Sequence, residues 1–158
     1  MIKYFGILLI FFSLVYFGRY KAYTYRQRHR QLGRFLALLD CIITQIELYN
    51  LPLDEIYRRC YKCDDCDRFT ELLINGSEFC GALNEIELYI NDEERRLLYD
   101  FGAALGKSGR EEQLKLCRYT IERLKAAYDK CIAELPKQTK LAETLGLLSA
   151  LMAAVLFV

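Results

Sequence analysis

Four cysteines near the middle of the chain have the spacing that most resembles a chemical site. Cys60, Cys63 and Cys66 recur at every third position, and Cys80 could supply a fourth sulfur. Thiolates at such spacing bind zinc or an iron–sulfur cluster. A zinc site usually has a second Cys-x-x-Cys pair, which is missing here, so packing or solvent-facing thiols near a helix end are the alternative. We assign no cofactor and keep these four as candidate metal ligands.

No other group of residues has the arrangement of a catalytic centre. The single histidine, His29, lies in a basic run, where an interface role is more natural than that of a base. Gly102, Gly106 and Gly109 follow no predicted strand, and only three residues separate Gly102 from Gly106-Lys107-Ser108, where a phosphate-binding loop has four. No nucleophile is placed beside a base. The sequence therefore predicts a protein that binds other proteins and is not an enzyme.

Both ends of the chain are strongly apolar. Residues 4–18 carry no charge, and residues 141–158 are apolar except for Glu143, Thr144 and Ser149. We predict transmembrane helices at residues 1–20 and 141–158. A cleaved signal peptide is the alternative for the first segment, although no small-x-small cleavage site follows it, and a buried core helix is the alternative for the short second one. Small residues from Gly146 to Ala154 favour close packing between the two segments.

Basic residues next to the two apolar segments predict the topology. The first segment is followed by a run of arginines and a lysine, and the second is preceded by Lys130, Lys137 and Lys140, whereas only Lys3 lies outside. The positive-inside rule then places residues 21–140 in the cytoplasm. The basic run from Arg19 to Arg34 is explained by topology and anionic membrane lipid, and a net charge of +1 gives no support for nucleic acid.

The predicted compartment bears on the seven cysteines of the chain. A reducing cytoplasm and an odd number of cysteines both argue against a disulfide framework. Cys41, Cys117 and Cys131 fall on apolar helix faces and are interpreted as small core residues.

Two long segments have the periodicity of packed helices. In each segment, apolar residues recur at alternating steps of three and four positions and form a stripe along one helix face, which we call a seam. The two seams consist of Leu32, Phe35, Leu39, Ile42, Ile46 and Tyr49, and of Leu114, Cys117, Ile121, Leu124, Tyr128, Cys131 and Leu135. Because one helix leaves the membrane and the other returns to it, we expect the two to pair antiparallel. No alternating strand pattern competes, so the predicted fold is an all-α bundle of about six helices.

Local signals divide the segment between the seams. Pro52 suits the first turn of a helix through Tyr61, and Asn75-Gly76 suits a helix end. The pairs Asn91/Glu94 and Ser108/Glu111 both have the spacing of a capping box. Further expected helix starts are Asp64 or Asp65, and Ser77.

Several of these features occur together in one known family. Leu51-Pro52-x-x-x-Ile56, the segment Phe101-Gly102-x-x-Leu105-Gly106-x-Ser108 followed by Gln113, and the final Leu145-Gly146-Leu147-Leu148 resemble the stage III sporulation protein AB family. The family pattern continues with Asp where this chain has Gly109. The family is similar to the cytoplasmic domain of the type II secretion inner-membrane platform protein.

The resemblance implies a scaffold in the channel complex that joins mother cell and forespore, within the mother-cell membrane around the forespore. Its expected partners are other channel-complex proteins, among them a secretion-type ATPase encoded in the family operon. The resemblance makes Phe101, Gly102, Leu105, Gly106, Ser108 and Gln113 the candidate interaction residues. A tight turn between helices is the alternative interpretation of these six, and the oligomeric state stays open. A membrane-anchored metal or redox protein, and a general secretion or pilus platform subunit, are the alternative functions.

Overall fold

Six α-helices account for nearly all described residues of the computed structural model. It describes residues 2–49, 51–61 and 68–157, with side chains described for 11–49, 51–60 and 68–152. The helices are α1 (Ile2–Tyr49), α2 (Leu53–Tyr61), α3 (Arg68–Ile74), α4 (Phe79–Glu85), α5 (Asp92–Ala104) and α6 (Arg110–Phe157). No strand occurs in these ranges. The predicted all-α class is therefore confirmed for the described part of the chain.

The chain divides into two compact units. The terminal unit comprises residues 1–29 and 130–158, and the central unit comprises residues 30–129. Each long helix contributes to both units, because α1 and α6 continue through the boundaries without a break. The predicted domain limits at residues 20 and 141 stay a prediction.

The α1 seam forms one wall of the core of the central unit. Five of its six predicted residues are buried: Leu32, Phe35, Leu39, Ile42 and Ile46. The sixth was predicted wrongly, since Tyr49 is 54% exposed at the last turn of α1 and its ring packs against the Arg59 guanidinium at 4.9 Å. A seam residue at a helix end has no further turn of the partner helix to cover it.

The opposite wall is α6, which runs antiparallel to α1 as predicted. Cys117 and Leu124 of its seam are completely buried. Gly33, early in α1, lies where a Cβ would be 3.4 Å from the Tyr128 ring, late in the α6 part of this unit. Arg118, early in α6, pairs with Glu47 near the end of α1 at 2.7 Å.

Four phenylalanines connect the short helices to this pair. Their rings make successive edge-to-face contacts from Phe35 of α1 through Phe69 and Phe79 to Phe101 of α5, with centroids 5.4, 5.1 and 5.3 Å apart. All four side chains are buried. Such contacts add about 0.5–1.5 kcal/mol each beyond the burial of apolar area, so this chain of rings is a large part of the core.

Of the two predicted capping boxes, one is present. The Glu94 amide donates to Asn91 Oδ1 at 2.8 Å and the Asn91 amide donates to Glu94 Oε2 at 2.9 Å, as α5 requires. The box at Ser108 was predicted wrongly, because α6 begins at Arg110 and Ser108 lies outside the capping position. The next residue, Gly109, flanks the helix and accepts the Gln113 amide at 3.0 Å.

The other predicted boundaries have mixed outcomes. The end of α3 is confirmed, with Asn75 directly after Ile74 and Gly76 next at φ +92°. Ser77 is not the cap of α4, because Glu78 holds that position. The predicted start at Asp64 or Asp65 lies outside the described residues.

In the terminal unit, α1 and α6 cross at two glycines. A Cβ on Gly18 would lie 2.7 Å from the Ala142 carbonyl oxygen and 3.0 Å from Gly146 Cα. A Cβ on Gly146 would lie 2.9 Å from Gly18 Cα and 3.2 Å from the Leu14 carbonyl oxygen. No real Cβ tolerates the shortest of these distances, so two backbones meet here where only glycine fits, in the way membrane helices often pack.

The outer faces of the terminal unit are apolar. Large side chains are about half exposed or more along both helices: Phe12, Tyr16, Phe17, Tyr20, Tyr23, Ile132, Leu141, Leu145, Leu147, Leu148, Leu151 and Met152. Even so, no helix in the described part of the chain offers a stretch that is both long and apolar enough to cross a bilayer. The first predicted span falls partly outside the residues whose side chains are described, and both spans stay a prediction.

Candidate docking groove

An open groove lies in the central unit where the end of α1, the start of α2 and the turn before α6 meet. Its volume is about 470 Å³. Its lining residues are Ile46, Leu51, Pro52, Leu53, Asp54, Ile56, Gly106, Ser108, Arg110 and Gln113. We call this the corner groove.

Pro52 and Gly106 shape its two sides. The Pro52 carbonyl accepts the amides of Glu55 and Ile56, both at 3.1 Å, and so starts α2. Gly106 adopts φ +81°, and a Cβ there would lie 2.7 Å from Leu53 Cδ1. Glycine is therefore required twice at this turn, for its backbone angle and for the close approach of Leu53.

Arg110 joins the end of α1 to the start of α6. Its Nε donates to the Ile46 carbonyl at 3.2 Å, and its Nη2 donates to the Glu47 carbonyl. These carbonyls belong to the last turn of α1, where no helical amide is available to them. A cation at that end also interacts favourably with the negative end of the helix dipole, so Arg110 stabilises the wall of the groove.

The remaining polar lining comes from the turn itself. Gln113 Nε2 donates to the Ser108 carbonyl at 3.0 Å and closes the turn onto the first part of α6. The Asp54 side chain is exposed at the start of α2. Ile46 and Ile56 are buried and Leu51 and Leu53 are half-buried, so most of the open lining is polar, and the corner groove suits a polar segment that carries one apolar side chain.

The six residues singled out by the family motif separate into two groups. Phe101, Gly102 and Leu105 belong to the core, where a Cβ on Gly102 would meet Phe79 Cδ1 at 2.5 Å. The other three, listed with the groove lining above, are Gly106, Ser108 and Gln113. The motif thus combines a packing requirement of α5 with a turn that faces the groove.

Sequence reasoning missed three groove residues, Leu53 and the charged pair Asp54 and Arg110. Both charged residues lie in the first turns of helices, where charged residues are common for helical reasons alone. The only available signal was their nearness in sequence to Pro52 and Ser108, which the motif had already marked.

The candidate metal site is not supported. Cys60 forms a disulfide with Cys41, across Cα atoms 5.7 Å apart, which also corrects the expectation that disulfides are absent and that Cys41 is only a core residue. The turn at Pro52 folds α2 back along α1 and brings the two thiols together. Cys80 instead donates to the Tyr99 carbonyl at 3.5 Å, while Cys63 and Cys66 lie outside the described residues. Within the described ranges no three candidate ligands are grouped.

Two buried titratable groups lie behind the groove. Burial raises the pKa of Tyr57 to about 12, and the Asp54 carboxylate and Cys117 add to the shift. Burial likewise raises the pKa of the Cys117 thiol to about 11. Both groups therefore remain protonated near neutral pH, and Cys117 has the character of a packed thiol and not of a nucleophile.

The family comparison covers almost the whole chain. A family model described as stage III sporulation protein AB (spore_III_AB) matches residues 3–158. No curated protein and no solved structure resembles the chain closely enough to count as a match.

Proposed function

The chain belongs to the stage III sporulation protein AB family, and from this premise we propose that it is a membrane-anchored assembly component of the mother cell–forespore channel complex. In this role it is a two-pass protein of the mother-cell membrane around the forespore. Its central unit lies in the cytoplasm, where the neighbouring Cys41 and Cys60 thiols are kept reduced, and presents the corner groove to a protein partner. It acts by binding and not by catalysis.

The terminal unit supports the membrane part of this proposal. Its apolar residues are turned outwards along both helices, with Phe12 at 61%, Tyr16 at 72% and Met152 at 67% exposure. Patches of this kind on a soluble protein mark contact with a membrane or another protein. Basic residues come directly after the apolar segment of α1 and directly before that of α6, as the positive-inside rule requires of a cytoplasmic flank.

One observation supports docking at the corner groove above all others. Gly106, Ser108 and Gln113 of the family motif line the same groove as Leu51, Pro52 and Ile56, although about fifty positions separate the two segments. Packing alone would account for the glycine, but not for the polar Ser108 in the lining of an open groove. A partner with an apolar side chain would cover the walls while its neighbours bond to these groups.

We propose the secretion-type ATPase encoded in the family operon as the partner. An extension or helix of the ATPase would insert an apolar anchor between Leu53 and Ile46. Affinity would come from burying the anchor, and the polar rim would fix its orientation.

The test places a photo-crosslinking amino acid at position 53 of the full chain during sporulation. We expect a covalent product with the ATPase. Tyr119 is the matched control, because it is exposed and lies in the same unit but outside the groove lining. Equal products from both positions, or a product from position 119 only, would contradict docking at the corner groove.

A further inference from the structure

In both helices of the terminal unit, apolar residues lie on one side of the glycine crossing and basic residues lie on the other. The basic residues of the two helices are on the same side. Gly18 lies against Ala142, and Gly146 lies against Leu14, so the helices are antiparallel here. The chain after Gly18 and the chain before Ala142 therefore leave the crossing in the same direction. The residues that follow Gly18 therefore lie at the same height along the helix axes as the residues that precede Ala142.

Four basic residues lie at that height. Arg19 and Lys21 follow Gly18, while Lys137 and Lys140 precede Ala142. At 1.5 Å per residue, Arg19 and Lys21 lie within about 5 Å of Gly18, and Lys137 and Lys140 lie within about 8 Å of Ala142, along the helix axes. All four are exposed. We call them the basic ring.

The opposite side of the crossing is apolar. Phe12 and Tyr16 precede Gly18, while Leu148 and Met152 follow Gly146, and all four are at least half exposed. Tyr20, 49% exposed, lies beside the basic ring, the position in which an aromatic ring with a polar tip suits a membrane surface.

In the part of the chain that the structure describes, few acidic side chains lie near the basic ring. Residues 11–29 and 130–152 contain seven lysines and arginines but only two glutamates, Glu134 and Glu143. Glu143 is already paired with Arg26 at 3.2 Å. Among the described residues, Arg19, Lys137 and Lys140 have no hydrogen bond or ion pair.

From this arrangement we infer that the basic ring is a binding site for the phosphate groups of anionic phospholipids. The apolar side chains across the crossing contact the acyl chains of the same lipids. Arg19 matches a phosphate through its planar fork of donors, and the lysines add point charges. The inference rests on the proposed membrane anchoring, and it specifies the lipid class that the anchor selects.

The test uses the full chain in neutral detergent with mixed micelles of equal amounts of dioleoylphosphatidylglycerol and dioleoylphosphatidylcholine. Native mass spectrometry gives the ratio of the two bound lipids. Each basic residue near an anionic surface contributes about a five-fold preference, so the wild-type ratio should lie well above one. The triple variant R19Q/K137Q/K140Q should bring it close to one, and soluble glycerol phosphate in excess should not compete.

Two further variants make the result specific. R19K/K137R/K140R conserves every charge and should keep the wild-type ratio. K107Q/K115Q/K125Q removes the same charge from exposed positions of the central unit and should also keep it. A wild-type ratio near one, or an equal loss in both neutralised variants, would overturn the inference.

Failure of the membrane proposal would be seen separately. Carbonate extraction of vesicles containing the chain would then release it into the soluble fraction. A chain that resists extraction but shows no preference for phosphatidylglycerol would overturn the lipid site alone.

Discussion

Gly106 and Gly109 belong to the same turn, but a side chain fits at position 109 and not at position 106. Gly106 has a positive φ and lies against Leu53, so any side chain would be strained and would collide. Gly109 has no atom within 4 Å of its Cβ position and flanks the start of α6. The turn therefore depends on one glycine and tolerates replacement of the other.

Gly109→Asp should stabilise the protein. An aspartate at this position can accept the free amides of the first turn of α6 and complement the helix dipole. We expect the free energy of unfolding to rise by about 0.3–1 kcal/mol, mostly from the charge at the helix N-terminus, since glycine is within a few tenths of a kcal/mol of aspartate as a cap. Chemical denaturation of the full chain in detergent measures it.

Gly109→Ala is the control, since alanine lowers the entropy of the unfolded chain without supplying a cap. A gain with alanine equal to the gain with aspartate would show that capping is not the cause. Gly106→Ala should lower stability under the same conditions.

Tyr57 should make the protein sensitive to alkali. Its folded-state pKa of about 12 lies above its ordinary value of 10.0, so the folded state holds the proton more tightly. The stabilisation is present in full below pH 10 and is lost as the pH rises towards 12. Relative to Tyr57→Phe, the wild type should lose unfolding free energy across this range. Parallel curves for the two proteins would contradict the assigned burial.

Sequence reasoning succeeded for residues whose role follows from helical period and failed for those whose role depends on a distant neighbour. The burial of Leu39 and Cys117 followed from their places in the seams. The pairing of Cys41 with Cys60 did not, because it requires α2 to fold back along α1, and no local pattern gives that direction.

At the scale of elements, the Cys41–Cys60 disulfide ties α1 to α2 next to the corner groove. The two cysteines are 19 positions apart. Closing a loop of this size lowers the entropy of the unfolded chain and stabilises the fold by about 3 kcal/mol. Cys41→Ser with Cys60→Ser should therefore lose about this amount under oxidising conditions, as measured by denaturation.

Reductant distinguishes the disulfide from ordinary packing. Treatment with reductant should abolish most of the difference in unfolding free energy between the wild type and the double serine variant. Cys80→Ser leaves the disulfide intact and should respond to reductant as the wild type does. A double variant as stable as the oxidised wild type would contradict the tie between α1 and α2.

The crossing of α1 and α6 should be equally specific. Gly146→Leu would place a branched side chain where the Gly18 backbone lies, so the two helices would have to separate. We expect a marked fall in the thermal midpoint of the full chain in detergent, by the mechanism of overpacking. Ala133→Leu is the matched control, because it adds three of the same four carbon atoms at an exposed position of α6 in the same unit. An equal fall in the thermal midpoint for both variants would contradict close packing of α1 and α6 at these glycines.

Helix types and most helix ends were predictable, because caps, proline and glycine act locally. The box at Asn91 and the end at Gly76 illustrate this. The start of α6 was misplaced because Ser108 has the spacing of a cap, whereas Gln113 uses its carbonyl to close a turn. A spacing rule cannot distinguish these two uses of one residue.

At the scale of the whole molecule, the proposal joins a membrane anchor to a binding unit. The predicted topology requires residue 107, in the turn beside the groove, to be cytoplasmic. A cysteine at position 107 should stay unlabelled by an impermeant maleimide applied to intact vegetative cells that carry the chain in their surface membrane, and become labelled after permeabilisation. The native cysteines replaced by serine provide the background control, and labelling in intact cells would contradict the orientation.

The most direct measurement for the account is the affinity of the secretion-type ATPase for the full chain in lipid nanodiscs. Ser108→Trp should fill the corner groove and weaken binding at least ten-fold, about the effect of losing one well-buried anchor. Glu122→Arg, at an exposed position of α6 outside the groove lining, should leave the affinity unchanged. ATPase binding that is unaffected by Ser108→Trp, or no binding by the wild type, would contradict the proposed docking function.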